Sequence, residues 1–177
     1  MLSELLANYR HLVWKVDGLC GEIVSGFPGE VVCGKGCDSC CRHISVFWVE
    51  AVSMAKAVAD LPDQQADFIR GRAHSAAADG VCPLLHQGAC LLYEHRPIIC
   101  RTHGLPILTG ETAPRTIDFC PRNFQRLDTI PGSAVIDLDR LNEALAAVNA
   151  LFMRRYFQGK HSPSERLTIA DALLLKV

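Results

Sequence analysis

The sequence lacks the features of a membrane-spanning, secreted or nucleic-acid-binding protein. No apolar run reaches the roughly 18 residues that a membrane span needs. The net charge is -1, from 18 basic and 19 acidic side chains without a long run of either sign, which argues against a nucleic-acid or anionic-membrane partner. The N-terminus carries Glu4 and no basic-then-apolar signal pattern. We therefore expect a cytoplasmic protein.

What the sequence does have is cysteine, at nine positions. An odd number of cysteines in a reducing compartment indicates thiols or metal ligands rather than a disulfide framework. The chain does not need disulfides to fold, because 177 residues with 49% hydrophobic side chains can bury a core. We expect a single domain over residues 1–177.

Four of the cysteines fall within nine residues, in the sequence CGKGCDSCC from Cys33 to Cys41. Gly34 and Gly36 allow positive φ angles and a tight fold around one point, and Lys35 adds a positive charge beside the thiols. We interpret this stretch as a metal-ligand loop. The alternatives are a pair of disulfides or ordinary buried thiols.

Helices are predicted on both sides of the cysteine-rich middle, which spans about 33–120. Apolar residues recur at three- and four-residue steps from 2 to 24, and again over 137–175 in two helices. We expect Gly159 to end the first of these two, and Ser162 to Glu165 to begin the second. Cys20 lies on the apolar stripe of the N-terminal helix, so we interpret it as a core residue. The fold class expected is mostly α with small irregular β-hairpins.

Within the middle, the pattern predicts an extended segment at 43–49 and helices at 50–60 and 64–78, the second on the surface. A hairpin over 81–93, turning at 86–88, would bring Cys82 and Cys90 together. A short helix after Arg96-Pro97 carries Cys100 and ends at 103–104. A second irregular hairpin over 105–119 leads to Cys120.

The candidate ligands share a thiolate, a soft ligand that selects zinc, copper(I) or iron–sulfur clusters. Structural zinc sites usually have two C-x2-C knuckles, whereas only Cys37 and Cys40 form one here. Irregular thiolate spacing favours a [4Fe-4S] cluster, with zinc as the alternative. Eight ligands suffice for two sites, or for one site and four further thiols: Cys33, Cys37, Cys40, Cys41, Cys82, Cys90, Cys100 and Cys120.

Cys40 and Cys41 are adjacent, and in an extended backbone adjacent side chains point to opposite sides. We therefore predict that they do not ligate the same metal. We also predict that at least one ligand of the loop's site comes from the dispersed cysteines, which are Cys82, Cys90, Cys100 and Cys120.

Several polar residues near the cysteines are secondary candidates. The histidines at 43, 86 and 103 are either ligands, hydrogen-bond donors to ligands, or ordinary polar residues. Arg96 and Arg101 flank Cys100 and either offset thiolate charge or are solvated. If the metal serves catalysis, the nearest titratable groups are His103, Glu94 and Asp118. The Cys33, Cys37 and Cys40 spacing also occurs in radical S-adenosylmethionine enzymes, but the chain lacks the strand–helix repeats of their barrel.

The order C-x3-C-x2-C-C, Cys-Pro, Cys-x2-Tyr-x2-Arg-Pro-x2-Cys-Arg and a last cysteine resembles the YkgJ-type cysteine-cluster family of zinc- or iron-chelating domains. The matching residues are the eight cysteines with Pro83, Tyr93, Arg96, Pro97 and Arg101. The resemblance implies a bacterial, cytoplasmic metal-binding protein whose protein partners are unknown. Flagellin lysine N-methylases have a related cysteine-rich region, so a metalloenzyme or an accessory factor is a further alternative. The chain has no glycine-rich nucleotide loop after a strand, and that activity is not carried over.

Overall fold

The computed structural model describes residues 1–110, 114–158, 162 and 164–177. Its helices are α1 (Leu2–Leu5), α2 (Ala7–Gly26), α3 (Trp48–Ala59), α4 (Asp63–His74), α5 (Ile98–Thr102), α6 (Leu138–Tyr156) and α7 (Ile169–Leu174), with single 3-10 turns at Tyr93–His95 and Gly132–Ala134. The strands are short: β1 (Ser45–Phe47), β2 (Leu85–His86), β3 (Ala89–Cys90), β4 (Ile107–Thr109), β5 (Thr116–Asp118), β6 (Ile136–Asp137) and β7 (Arg166–Thr168). The mostly helical fold with small β-hairpins is confirmed.

Helix α3 is the centre of the packing because it is apolar on nearly every side. One face, with Ala51 and Met54, joins a first hydrophobic cluster with α4, α7 and Cys82. The opposite face, with Val49 and Val52, joins a second cluster with α2 and α6. A helix that is hydrophobic all round must be buried on all sides, and α3 therefore connects the two halves of the core.

A third cluster lies under the chain that leads to Cys120. Ile23 from α2 packs there with Leu105, Phe124 and Ile136. This cluster fixes the residues on either side of Cys120, so the last cysteine is held by tertiary packing rather than by a regular element.

The two predicted hairpins are present. β2 and β3 pair antiparallel, with Leu85 opposite Cys90, and both turn residues have positive φ, 49° at Gln87 and 70° at Gly88. Two positive φ angles are the requirement of a type I′ turn, which matches the twist of a hairpin. β4 and β5 form the second antiparallel pair.

Several sequence-based boundaries are corrected. The N-terminal helix is interrupted at Leu6, the C-cap of α1 and N-cap of α2. Helix α4 ends at His74, and it is not purely a surface helix because Ala66, Ile69 and Ala73 are buried. Helix α7 begins only at Ile169, where the Thr168 side chain accepts a hydrogen bond from the Asp171 amide. The proposed helix end at Gly159 and the proline at 163 lie outside the described residues.

Two strand pairings join distant parts of the chain and were not predicted. β7 pairs antiparallel with β1, with Ser45 opposite Thr168. β6 pairs parallel with β4, with Ile107 opposite Ile136. These pairings attach the C-terminal region to β1, which follows Cys41, and to β4, which lies between Cys100 and Cys120.

A buried carboxylate links the core to the cysteine-bearing helix α5. Glu50 is 3% exposed, and its two oxygens accept hydrogen bonds from the Ile98 amide at 2.9 Å and the Phe47 amide at 3.1 Å. The first amides of a helix have no partner within it. Glu50 supplies one for α5 and thereby fixes the helix that carries Cys100.

Candidate metal centre

Cys33 and Cys120 both lie close to Gly104. A Cβ atom added to Gly104 would lie 2.9 Å from the Cys33 Sγ and 3.6 Å from the Cys120 Cβ. The Asn123 side-chain amide donates a hydrogen bond to the Cys33 Sγ at 3.3 Å. A thiol of the N-terminal loop and the last cysteine of the middle are thus neighbours.

Cys37 and Cys40 complete this neighbourhood. Burial raises the pKa of the Cys33 thiol, the Asn123 hydrogen bond lowers it, and the charges of three nearby thiols raise it, those of Cys37, Cys120 and Cys40. The Arg122 guanidinium lies 3.5 Å from the Cys37 Sγ and donates to it. We call Cys33, Cys37, Cys40 and Cys120 the outer group, since Cys33 and Cys40 are exposed and the other two half-buried.

The loop that carries the first three of these thiols is shaped by one glycine rather than two. Gly36 has φ +92°, while Gly34 does not have a positive φ. The Gly36 amide donates to the Gly88 carbonyl at 2.8 Å. This bond ties the loop to the tip of the β2–β3 hairpin, and Lys35 beside it is exposed.

The remaining four cysteines lie together on the core side of the loop. The Cys82 amide donates to the Cys41 carbonyl at 3.0 Å. Cys82 is buried in the first hydrophobic cluster, and Cys41 and Cys90 pack against it. The pKa of Cys100 is raised to about 12, first by burial and then by the charges of Cys82 and Cys90. We call Cys41, Cys82, Cys90 and Cys100 the inner group.

Burial is the main electrostatic influence on the inner group, and it disfavours charged thiolates. It raises the pKa of Cys82 to about 11, an effect that the Leu84 backbone amide opposes. The pKa values of Cys41 and Cys90 are also raised by burial, and in both the Arg96 charge acts in the opposite direction.

Arg96 is held in place against the inner group. Its guanidinium carbon lies 3.6 Å from the centre of the Tyr93 ring, and its Nε donates to the Tyr93 carbonyl at 3.0 Å. The Arg96 charge lowers the pKa of Cys100, against the larger effect of burial. A fixed guanidinium near the thiols of Cys41, Cys90 and Cys100 offsets part of the charge they would carry as ligands.

Cys40 and Cys41 connect the two groups, but the backbone there is a turn rather than an extended strand. The Cys41 amide donates to the Asp38 carbonyl at 2.9 Å, and the Arg42 amide donates to the Cys40 carbonyl at 2.9 Å. The premise that these side chains diverge along an extended chain is therefore wrong. Burial and the Cys90 charge raise the pKa of Cys41, and the neighbouring Cys40 side chain lowers it.

The donor atoms fit thiophilic metals, although the side chains are not gathered at bonding distance. Within 1–110, 114–158, 162 and 164–177, no three His, Cys, Asp or Glu side chains form a group that could hold an ion as they stand. Each set nonetheless has four thiols, the number that one zinc ion or one cubane cluster takes.

The comparisons with known proteins address this arrangement directly. The family model CxxCxxCC, described as "Putative zinc- or iron-chelating domain", matches residues 32–120. The chain belongs to this family. The CxxCxxCC match begins next to Cys33 and ends at Cys120, and so includes both groups. Among curated proteins and among solved structures, no match was found.

This chain has three residues between the first two cysteines of the CxxCxxCC run, where the family's name has two. Gly36, with its left-handed φ, lies in that longer spacer. The family match supports metal binding by zinc or iron. It does not choose between a cluster and a single ion.

Two residues that contact outer sulfurs were not anticipated from the sequence. Arg122 and Asn123 follow the last cysteine and donate to Cys37 and Cys33, respectively. The chain offers only a weak signal for them, a polar pair directly after Cys120-Pro121.

The secondary candidates differ in their surroundings: some contact other parts of the chain, and others are exposed. His43 is engaged through both ring nitrogens, 2.7 Å from the Ala77 carbonyl and accepting from the Ala170 amide at 3.1 Å. The His86 ring packs edge-on against Phe68. Arg101 is paired with Asp17 on α2, with Nη1 2.7 Å from a carboxylate oxygen. Three possible catalytic groups, His103, Glu94 and Asp118, are exposed.

No described helix has the length and hydrophobicity to cross a membrane.

Proposed function

We propose that this chain is a cytoplasmic metal-binding protein that forms a single domain over residues 1–177. Its eight cysteines hold metal as two sets of four, the outer group and the inner group. A [4Fe-4S] cluster is the preferred occupant of at least one set, and zinc is the alternative. The proposal depends on one observation, that thiols distant in sequence lie together around the same loop.

The arrangement supports a structural or electron-transfer role better than catalysis. Four thiolates per site leave no ligand position for substrate. The polar residues considered for catalysis, His103, Glu94 and Asp118, are exposed. Three cysteines of the inner group, Cys41, Cys82 and Cys90, lie in or against the first hydrophobic cluster, and an apolar shell limits the access of solvent to a site.

Anaerobic purification followed by visible absorption, elemental analysis and sulfide determination tests the occupant. A brown protein with iron and acid-labile sulfide is the expected result. A colourless protein with stoichiometric zinc and no sulfide would replace the cluster with the zinc alternative. A protein that takes up neither metal in either redox state would contradict the proposal itself.

A further inference from the structure

The Asn123 side chain joins three segments of the outer group. It is 1% exposed. Its Oδ1 accepts a hydrogen bond from the Val32 amide at 3.0 Å. Its Nδ2 donates to the Gly104 carbonyl at 2.7 Å and to the Cys33 Sγ at 3.3 Å. Both ends of the amide are therefore bonded, and one of its two N–H groups is directed at a sulfur.

The segments that Asn123 joins are the ones that bring Cys33 and Cys120 together. Its own backbone amide donates to the Cys120 carbonyl at 2.9 Å, and the Cys120 amide donates to the Gly104 carbonyl at 3.4 Å. Cys33 and Asn123 are 90 positions apart in sequence. One buried side chain thus holds a site that the chain assembles from distant parts.

Gly104 shows how closely this assembly is fitted around the sulfur. Its φ is +90°, and an added Cβ would lie 2.9 Å from the Cys33 Sγ and 3.2 Å from the Asn123 Nδ2. A contact under 3.0 Å is closer than packed atoms tolerate. The absence of a side chain at 104 leaves the space in which the amide and the sulfur meet.

A second buried asparagine provides a comparison within the same chain. Asn149 is 0% exposed, and its Oδ1 accepts from the Val49 amide at 3.1 Å. The two asparagines thus share burial and a bond to one backbone amide. Asn123, in addition, donates to the Cys33 sulfur.

An amide N–H directed at a thiolate has two effects on a metal ligand. It stabilises the charged sulfur, since a hydrogen bond to an ionised acceptor is stronger than one between neutral groups. It also fixes the side-chain rotamer, and loss of such an outer partner typically costs about 10–100-fold in metal affinity. Because the amide is neutral, it does this without adding a charge to the site.

We propose that Asn123 is the positioning residue of the outer group, holding the Cys33 Sγ beside Cys120 and donating a hydrogen bond to it when it binds metal. This inference rests on the proposed metal-binding function. It predicts that the outer group depends on Asn123 and that the inner group does not.

The test uses the full chain loaded with ¹¹³Cd(II), a thiophilic probe with an NMR signal. Cys33→Ser and Cys41→Ser assign the signals of the outer and inner groups. Asn123→Asp keeps an oxygen for the Val32 amide but cannot donate to the sulfur. Asn149→Asp is the matched control for placing a carboxylate in a buried site. Chelator competition then gives the Cd(II) affinity of each group in each variant.

Asn123→Asp is expected to weaken Cd(II) binding by the outer group by about 10–100-fold and to leave the inner group unchanged, while Asn149→Asp changes neither. In the wild-type protein, a proton-to-cadmium correlation across the hydrogen bond should involve the Asn123 side-chain amide. This second measurement decides the matter if Asn123→Asp does not fold.

Two results would overturn the role of Asn123 alone. One is that the wild-type protein binds Cd(II) but does not show that correlation. The other is that a folded Asn123→Asp protein binds Cd(II) in the outer group with unchanged affinity. Failure of the wild-type chain to bind Cd(II) at all would overturn the metal-binding function and this inference together. The two failures are thus distinguished by the wild-type titration.

Discussion

The outer and inner groups each offer four thiol sulfurs, but their surroundings differ. Cys33 and Cys40 are exposed, and the donors to the outer sulfurs are an amide and an exposed guanidinium, those of Asn123 and Arg122. The inner group lies against the core, where burial raises the pKa of Cys82 to about 11 and of Cys100 to about 12. Its counter-charge comes from Arg96.

Ligand type alone therefore does not determine how readily a thiolate site exchanges its metal. A group of ligands that lies against the core exchanges its metal slowly, because apolar side chains limit the access of solvent and competing ligands. An exposed group is open to solvent and to competing ligands. We therefore expect the inner group to act as the structural site and the outer group as the more labile one.

Complete metal removal should have the largest effect. Structural metal binding contributes on the order of 10 kcal/mol, comparable with the roughly 5–15 kcal/mol net stability of a domain. Residues 33–120 are expected to become protease-sensitive while α2 and α6 keep much of their helicity. Stepwise chelation followed by native mass spectrometry and limited proteolysis measures this, with the outer metal leaving first. Unchanged protection of 33–120 after both metals are lost would contradict it.

Separate Cys40→Ser and Cys41→Ser variants should each lose a different metal. The outer group loses a ligand in the first and the inner group in the second, although the two residues are adjacent. Elemental analysis and the spectrum of the remaining site give the result. If both substitutions remove the same metal and spare the other, the division into two groups is wrong.

Gly104→Ala and Gly36→Ala form a matched pair of variants, and their effect on the free energy of unfolding should be the next largest. Both glycines have φ near +90°, but only at 104 would a Cβ meet the Cys33 Sγ; nothing lies within 4 Å at 36. We expect Gly36→Ala to cost about 1–2 kcal/mol from backbone strain, and Gly104→Ala to cost about 1–3 kcal/mol more from overpacking. Denaturant unfolding measures both, and equal losses would show that strain alone operates at 104.

Glu50→Gln should destabilise the protein by about 1–3 kcal/mol, less than Gly104→Ala, because an amide cannot accept from both backbone amides as the carboxylate does. Burial raises the pKa of Glu50, against its two backbone hydrogen bonds. The folded state therefore favours the protonated acid. The stability that this preference contributes is fully present below the ordinary pKa of a glutamate carboxyl, and it is lost as pH rises through the raised pKa of the folded state.

The variant should lack that component of the pH dependence of unfolding. Denaturant melts across the acidic range test it, with the exposed Glu143→Gln as the control. An unfolding free energy that varies with pH identically in wild type and Glu50→Gln would exclude the buried carboxyl as its source.

Local patterns predicted the parts of the fold that local physics determines. The Gln87-Gly88 turn follows from turn chemistry, and it brings Cys90 back towards Cys82 as the sequence indicates. The ligand candidates followed from residue type and from the family resemblance. Their assignment as ligands stays a prediction.

The remainder depends on contacts between residues far apart in the chain. The pairing of β7 with β1, and the burial of Asn123 against Val32 and Gly104, leave no periodic signal in either segment. The turn at Cys40 was also missed, because the apolar and β-branched residues that follow it favour an extended chain. The sequence thus identified the candidate ligands more readily than the contacts that bring them together.

The late position of α7 has a consequence for biosynthesis. The Ile169 amide bonds the Ile44 carbonyl and the Ala170 amide bonds His43, so the last helix anchors the segment just after Cys41. The four inner thiols are already present once residue 100 has been made. At about 5–20 residues per second, a ribosome needs several seconds more to deliver α7. In a nascent chain, the inner thiols are therefore made several seconds before the last helix can anchor the segment that follows Cys41.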